Sequence, residues 1–542
     1  MENPRPTPQG SNLARRAARG GGATLLGQGI RILLQVGSVA VLARLIDRED
    51  FGLFAMAMTF VALSEIFRDF GLSNAAIQAP SLSVRERDQL FWANTAIGAA
   101  LAVLIAAGSP LLELIFGQAG LAPLAVGLAA SFVLNGIQTQ YRVSLNRSLR
   151  LGALAIIDVA APLAGAIAAI LAASAGWGAW ALVLQLNVTA ATGLLLLMPT
   201  AAWLPGRPRR GVPLGHFLRF GGTMVASQLV NFVAGNIDTL LIGRLLGTGP
   251  LGIYNRGSQL LMTPLTQLRA PLSRVAIPVL SRLQDDTRRF ADFLCRGQLL
   301  LGYTILPLLA FVAGASVPIV TVFLGPSWLD AAPVLTLLAV AGAFQTLAYV
   351  AYWGYVSQGL TGALLRFTLM SASLKIVCVL IGSTGGIVGV AAGVAAEPIL
   401  SWPMAIWWLS RSAPTPVARL YAGVARLAPL AILGGLAAAG TAHLTSGAGP
   451  LLAILAAGGS VLAVYALGAV VPVVRRDLLD LRRTVTLMLS REKAPARTQP
   501  AEEAATPSAT GAPVTTAAPT AAPTAPTEAA PAPPTIPESP AR

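Results

Sequence analysis

Apolar runs of eighteen or more residues recur along this chain from residue 22 to residue 474. No other feature of the sequence limits its fold as strongly. A run of that length crosses a bilayer. Lipid offers no partner for backbone N–H and C=O groups, so each run has to satisfy its own hydrogen bonds as a helix. Only 11% of the 542 residues are charged and 55% are hydrophobic, against about 25% charged in soluble proteins. The expectation is an all-α polytopic membrane protein.

The apolar pattern divides into about 14 transmembrane helices, near 22–46, 51–76, 89–116, 121–141, 151–173, 177–198, 217–246, 251–278, 294–323, 331–356, 363–382, 385–409, 419–443 and 450–474. A net charge of +15 raises the question of nucleic acid, but the arginines answer it. Arg85 and Arg87, then Arg142, Arg147 and Arg150, then Arg207, Arg209 and Arg210, then Arg282, Arg288 and Arg289 all fall in the loops that follow even-numbered spans. The turns near 117–120, 174–176, 247–250, 383–384 and 444–449 hold no Lys or Arg. This is the positive-inside pattern, and it predicts that both termini are cytoplasmic. The polar stretch 1–20, with Pro4, Pro6, Pro8 and Arg15-Arg16, leads into an apolar run too long for a signal core, so a cytoplasmic tail is expected there. Residues 476–542 form a second cytoplasmic tail, and from about 494 onward it is Ala, Pro and Thr, a composition that cannot bury a core and stays disordered. Cys295 and Cys378 lie in or beside apolar helices as packing residues. His216 and His443 make no cluster, so neither a metal nor a cofactor is expected.

An internal repeat sets the organisation. The segment from Arg19 realigns without a gap on the segment from Arg219: Gly21 and Gly22 fall on Gly221 and Gly222, Gln28 on Gln228, Arg44 and Leu45 on Arg244 and Leu245, and Gly52 on Gly252. Each copy reads as an apolar helix ending in Arg-Leu, a polar turn and a Gly opening the next helix. Two similarly built halves follow: an N-lobe at 21–205 (spans 1–6) and a C-lobe at 206–416 (spans 7–12), with spans 13 and 14 as an appendix at 417–475. Pro264, Pro271 and Pro278, Pro307 and Pro318, and Pro398 and Pro403 each remove a helix hydrogen bond and favour bends.

Phe51-Gly52-Leu53, Glu65-Ile66-Phe67-Arg68-Asp69-Phe70-Gly71-Leu72, Ile253-Tyr254-Asn255-Arg256 and Pro271-Leu272-Ser273-Arg274-Val275 resemble the Wzx-type oligosaccharide flippases of the multidrug/oligosaccharidyl-lipid/polysaccharide exporter superfamily. The resemblance covers residues about 20–480. It implies two pseudo-symmetric six-helix lobes (MATE-like) around a V-shaped cavity, in the bacterial inner membrane. It also implies a substrate, a polyprenyl-diphosphate-linked oligosaccharide moved from the inner to the outer leaflet. Membrane lipids and other polysaccharide-assembly proteins are the partners that go with this reading. The rival within the superfamily is a multidrug exporter, whose cavity for cationic drugs should be acidic. A membrane enzyme would need a carboxylate or histidine pair at a membrane face, or a sizeable outer loop, and the chain offers neither.

Ionisable residues inside spans are functional candidates, because each is costly unless paired or wetted. Arg31 lies about nine residues, roughly 13 Å, into the first span. Gln28 and Gln35 share its helix face, and a polar stripe of this kind belongs against a wet cavity. The resemblance implies a cavity-facing cation at Arg256. A diphosphate suits two arginines, whose forked donors match phosphate oxygens. Gln228, Asn231, Tyr254 and Asn255 are candidates for sugar hydrogen bonds. Asp238, Lys375 and Glu397 lie deep in the second lobe and are expected to meet as a coupling group. Some members of the superfamily hold sodium among carboxylates of spans 7, 11 and 12; here Lys375 is placed to fill that role with a fixed ammonium, which points to proton or membrane-potential coupling, the equal alternative being a static ion-pair cluster that only clamps the helices. Arg44, Arg244, Arg219, Arg366 and Arg426 are expected to snorkel from span ends, and Glu113 to be solvated.

Overall fold

The computed structural model describes residues 29–69, 83–148, 150–207, 232 and 235–491. Met1–Val485 form one compact unit; of the second, Thr486–Arg542, residues 486–491 are described and are helical. Among the described residues there is no strand.

The first half of the compact unit contains α1 (Gly29–Leu42), α2 (Arg48–Asp69), α3 (Val84–Phe116), α4 (Leu121–Arg147), α5 (Leu151–Ser174) and α6 (Ala179–Ala201). The second half contains α7 (235–245), α8 (Thr248–Arg282), α9 (Thr287–Gly314), α10 (Ser316–Phe323), α11 (Ala331–Ser357), α12 (Thr361–Gly382) and α13 (Gly386–Ser412). Then come α14 (Val417–Leu444), α15 (Pro450–Gly468) and α16 (Pro472–Arg491). Polar residues and glycines punctuate these helices. Ser83 caps α3 by accepting from the Glu86 N–H at 3.2 Å while the Glu86 carboxylate accepts from the Ser83 N–H at 2.8 Å, a reciprocal capping box. Gly117 closes the same helix at φ 66°, a left-handed position that suits glycine.

Among the described residues each expected span overlaps a helix, and two spans are interrupted. The expected span 450–474 takes in α15 and the start of α16, parted at 469–471. The expected span 294–323 is two helices, α9 and α10, parted at Ala315. Pro318 explains the break: it has no N–H to offer Gly314 four residues earlier, and its ring crowds that carbonyl. By contrast α8 runs unbroken through Pro264, Pro271 and Pro278. Among the described residues nine stretches are long and apolar enough to cross a membrane, and one of them, Thr361–Ser412, holds two helices.

The helices gather into two bundles. In the first, α4 packs on α3 and α6, α5 on α6, and α2 lies across α3 and α4. In the second, α11 packs on α8, α9 and α13, and α12 on α13; α14 attaches to α9 and carries α15. The bundles meet along α2 and α8. A Cβ added to Gly52 would sit 1.8 Å from the Thr248 carbonyl oxygen, and one added to Gly252 would sit 2.1 Å from the Arg48 carbonyl oxygen. The repeated glycines are thus the points at which the two helices cross backbone to backbone.

Candidate functional site

Several polar contacts close the end of the molecule at which α2 and α8 begin. Arg48 pairs with Asp330 at 2.6 Å. Arg44 Nη2 donates to the Val322 carbonyl at 2.7 Å, and Trp328 Nε1 to the Ala43 carbonyl at 2.7 Å. Phe51 meets Trp328 edge to face, ring centroids 5.5 Å apart. The Arg256 guanidinium lies 4.0 Å from the centroid of the Phe51 ring and donates to Gln259 Oε1 at 2.5 Å. Arg256 is only 5% exposed. Sequence reasoning puts this cation on a cavity wall; in this conformation it is covered by Phe51 from the opposite lobe.

Arg31 occupies a different place. It lines a pocket of about 350 Å³ enclosed by α1, α2, α4, α5 and α6. Glu65, Asn135, Gln138, Arg142 and Asp158 share the walls. Glu65 stands 17 residues beyond Arg48 on α2, about 25 Å farther along the helix, so the pocket belongs to the half of the N-lobe away from the closed end. Arg142 Nη1 pairs with Asp158 Oδ1 at 2.7 Å. The structure does not bring Arg31 and Arg256 together.

The expected coupling group is partly assembled. Lys375 Nζ lies 3.3 Å from Asp238 Oδ1, with the two side chains 16% and 10% exposed. The pair is ionic rather than an aligned hydrogen bond, since Oδ1 has no hydrogen-bond partner. The buried Tyr254 hydroxyl donates to the other carboxylate oxygen of Asp238. Glu397 accepts instead from Ser371 Oγ at 2.5 Å. Ser371 lies one turn before Lys375 on α12, so Glu397 sits beside the pair and not within it.

Of the residues expected to support the substrate, Tyr254 is already engaged by Asp238, Asn255 is half-buried, and Gln35 is exposed on α1. Gln28, Gln228 and Asn231 lie outside the described residues. Three of the expected peripheral charges are engaged. Arg44 is held by Val322, Arg426 pairs with Asp477 of α16 at 2.8 Å, and Glu113 accepts from the Gly120 and Ala122 N–H groups at 2.9 and 3.1 Å, capping α4. Arg366 stays exposed on its own helix.

Residues 41–333 match the family described as "Polysaccharide biosynthesis protein". The chain belongs to that family. Among its relatives, the lipopolysaccharide biosynthesis protein WzxC of Escherichia coli (strain K12) is 28% identical over 67% of this chain and 75% of its own length. The succinoglycan biosynthesis transport protein ExoT of Rhizobium meliloti (strain 1021) is 26% identical over 59% of this chain and 66% of its own. Among solved structures, the lipid II flippase MurJ in an inward closed conformation superposes with a TM-score of 0.63 at 16% identity, over 84% of this chain and 99% of that one. An inward-facing MATE family multidrug transporter gives 0.54 at 15% identity, over 74% and 99%. These two likenesses establish the shared fold of the family member described here: helical lobes of the MATE type.

Sequence reasoning missed several polar residues, among them Glu65, Asn135 and Gln138 of the pocket wall. Arg142 reads as a loop residue because hydropathy ends the fourth span near 141, yet α4 continues to Arg147 and carries Arg142 to the pocket wall. Asp158 is its partner, and its place inside the expected span 151–173 was the available signal. Arg269, at mid-length in α8, is 8% exposed and donates to the Gly342 carbonyl at 2.9 Å and to Thr346 Oγ1 at 2.5 Å. Its depth between Pro264 and Pro271 was the available clue.

Proposed function

We propose that this protein flips polyprenyl-diphosphate-linked oligosaccharide units from the inner to the outer leaflet of the bacterial cytoplasmic membrane, by alternating access between its two lobes. The observation that carries this reading is the asymmetry of the molecule along α2. Interlobe contacts close one end, and the Arg31 pocket lies in the other half. On the arginine pattern, the closed end faces outward and the pocket half faces the cytoplasm, where lipid-linked units are made. Arg31 engages the diphosphate, and Arg256 joins it once Phe51 withdraws and the closed end parts. The lipid tail stays in the bilayer. No bond is made or broken, so the residues named here act by holding and releasing the headgroup. The polymer served is exopolysaccharide, capsule or O-antigen; relatives named for lipopolysaccharide, teichuronic acid and succinoglycan support that class. Other assembly proteins supply the unit and take it up.

The test is reconstitution into vesicles with a fluorescent polyprenyl-diphosphate sugar. Wild-type protein is expected to move it across the bilayer, Arg31→Ala to stop it, and Arg31→Lys to recover only part, because the forked geometry is lost. Wild-type vesicles that fail to move it, but expel a cationic dye, would transfer the reading to multidrug export.

A further inference from the structure

The pocket that Arg31 lines carries no net charge on its walls. Two guanidiniums, Arg31 and Arg142, share it with two carboxylates, Glu65 and Asp158, and Arg142 is already neutralised by Asp158 at 2.7 Å. An anion placed deep in it would find no net positive charge, because Asp158 already holds Arg142. What remains for a ligand is hydrogen bonding. Gln138 Nε2 donates to Asn135 Oδ1. That bond leaves Gln138 Oε1 as an acceptor and Asn135 Nδ2 as a donor, and among the described residues neither atom makes a further bond. The Gln138 oxygen is directed toward α6, where a Cβ on Gly193 would come within 2.9 Å of it. The remaining wall is mostly apolar, with Met58, Val61 and Ile157 among its residues; the Ser131 and Thr189 hydroxyls on it are bonded to backbone carbonyls of their own helices. A polar edge with both donor and acceptor, facing an apolar wall, matches a sugar ring, whose hydroxyls circle its edge and whose C–H groups form its faces. At about 350 Å³ the cavity is at the small end of ligand sites, room for part of an oligosaccharide and not a whole repeat unit.

We propose that this N-lobe pocket binds an uncharged sugar ring of the lipid-linked unit, with Asn135 and Gln138 reading its hydroxyls while the diphosphate lies at Arg31. The proposal rests on the flippase reading above and adds to it a second point of recognition, selective for neutral sugars.

The experiment measures binding to the full chain in lipid nanodiscs, with two probes: polyprenyl diphosphate without sugar, and the same lipid carrying one neutral hexose. Wild-type protein is expected to hold the hexose-bearing lipid about tenfold more tightly, the increment of one or two net hydrogen bonds. Asn135→Ala and Gln138→Ala are expected to bring that affinity down to the sugar-free value and leave the sugar-free value unchanged. Gly193→Ala keeps both amides but crowds Gln138 and fills the pocket, and an alanine favours the helix; it should remove the same increment in a well-folded protein. Arg31→Ala should weaken both probes. Equal binding of the two probes by wild type overturns the sugar site and leaves the diphosphate reading standing. Binding of neither probe overturns both. Tighter binding of a lipid bearing the corresponding uronic acid than of the hexose lipid also overturns the proposal, because recognition would then run through an arginine and not through the Asn135 and Gln138 amides.

Discussion

Gly52 and Gly252 stand 200 positions apart in the sequence and press on the partner helix at equivalent points, Gly52 on the Thr248 carbonyl and Gly252 on that of Arg48. Each contact is made four residues before the other glycine. The internal repeat is therefore also the crossing point of the two lobes, and neither position has room for a side chain.

A methyl group at either glycine must force the helices apart at the closed end. Overpacking of this kind costs about 1–3 kcal/mol, enough to move a two-state lobe equilibrium by about fivefold to 150-fold. The side chains of Arg48 and Asp330 meet at 2.6 Å, so cysteines placed there in a background lacking Cys295 and Cys378 should be bridged by a bifunctional thiol reagent about as long as the two side chains they replace. Gly52→Ala or Gly252→Ala should reduce that cross-linking severalfold without loss of insertion. Unchanged cross-linking in both variants would show that the closure does not depend on the glycine contact.

Arg256 gives a second test of the same closure. Its guanidinium stacks on Phe51 of the other lobe at 4.0 Å from the ring centroid, a desolvated cation–π contact worth about 2 kcal/mol. Arg256→Ala should loosen the Arg48–Asp330 cross-link and slow transport. Binding of polyprenyl diphosphate to the closed form should persist, because Arg256 is withheld from the substrate there. Loss of that binding would put Arg256 within reach of the headgroup already in this conformation.

The glycine contact also shows what the sequence discloses. The repeat reveals which residues are equivalent, because two copies of one helix–turn–helix keep their backbone requirements. It does not reveal that the copies touch each other, since apolar periodicity is the same toward lipid and toward protein. The helices themselves were legible because lipid imposes one form on every long apolar run. Their ends were less so: hydropathy stops where the membrane stops, while α4 continues to Arg147 and brings Arg142 to its partner. Asp238 and Lys375 were paired from cost alone, because a lone charge at that depth is expensive. Glu397 escaped the same argument, since a nearby hydroxyl, Ser371, satisfies it as well as an ion would. The covering of Arg256 by Phe51 belongs to one conformation, and no local pattern in the sequence encodes it.

Orientation rests on the arginine-rich loops. Ser446 lies exposed in the turn between α14 and α15, and Ser412 lies exposed at the end of α13. With the native cysteines removed, a cysteine at 446 should react with an impermeant thiol reagent added outside intact cells, and one at 412 should react only after the membrane is opened. The reverse pattern would invert the molecule and, with it, the direction of transport proposed above.

Lys375 and Asp238 bear on how transport is driven. An ammonium 3.3 Å from the carboxylate occupies the place that a bound monovalent cation would take, and Tyr254 fills the other side of Asp238. Sodium has no vacancy there while Lys375 stays charged. We propose protons, or the membrane potential acting on these charges, as the driver; the alternative is that the pair only clamps the helices. Vesicles with imposed gradients should therefore transport in response to pH or voltage and ignore sodium. Asp238→Asn and Glu397→Gln should each weaken the response to pH. Removing Lys375 alone strands a buried carboxylate, a loss of about 3–5 kcal/mol when one partner of a buried pair is deleted, so Lys375→Ala should fold poorly unless sodium is supplied to replace the ammonium. Folding and transport of Lys375→Ala that both become sodium-dependent would establish the lysine as a built-in substitute for the ion. The double variant Asp238→Asn/Lys375→Met keeps the volume without the charges; it should insert normally and transport without regard to either gradient. Sodium-driven, pH-independent transport by the wild type would sink the fixed-ammonium account. So would a double variant that still responds to pH while Glu397→Gln has no effect.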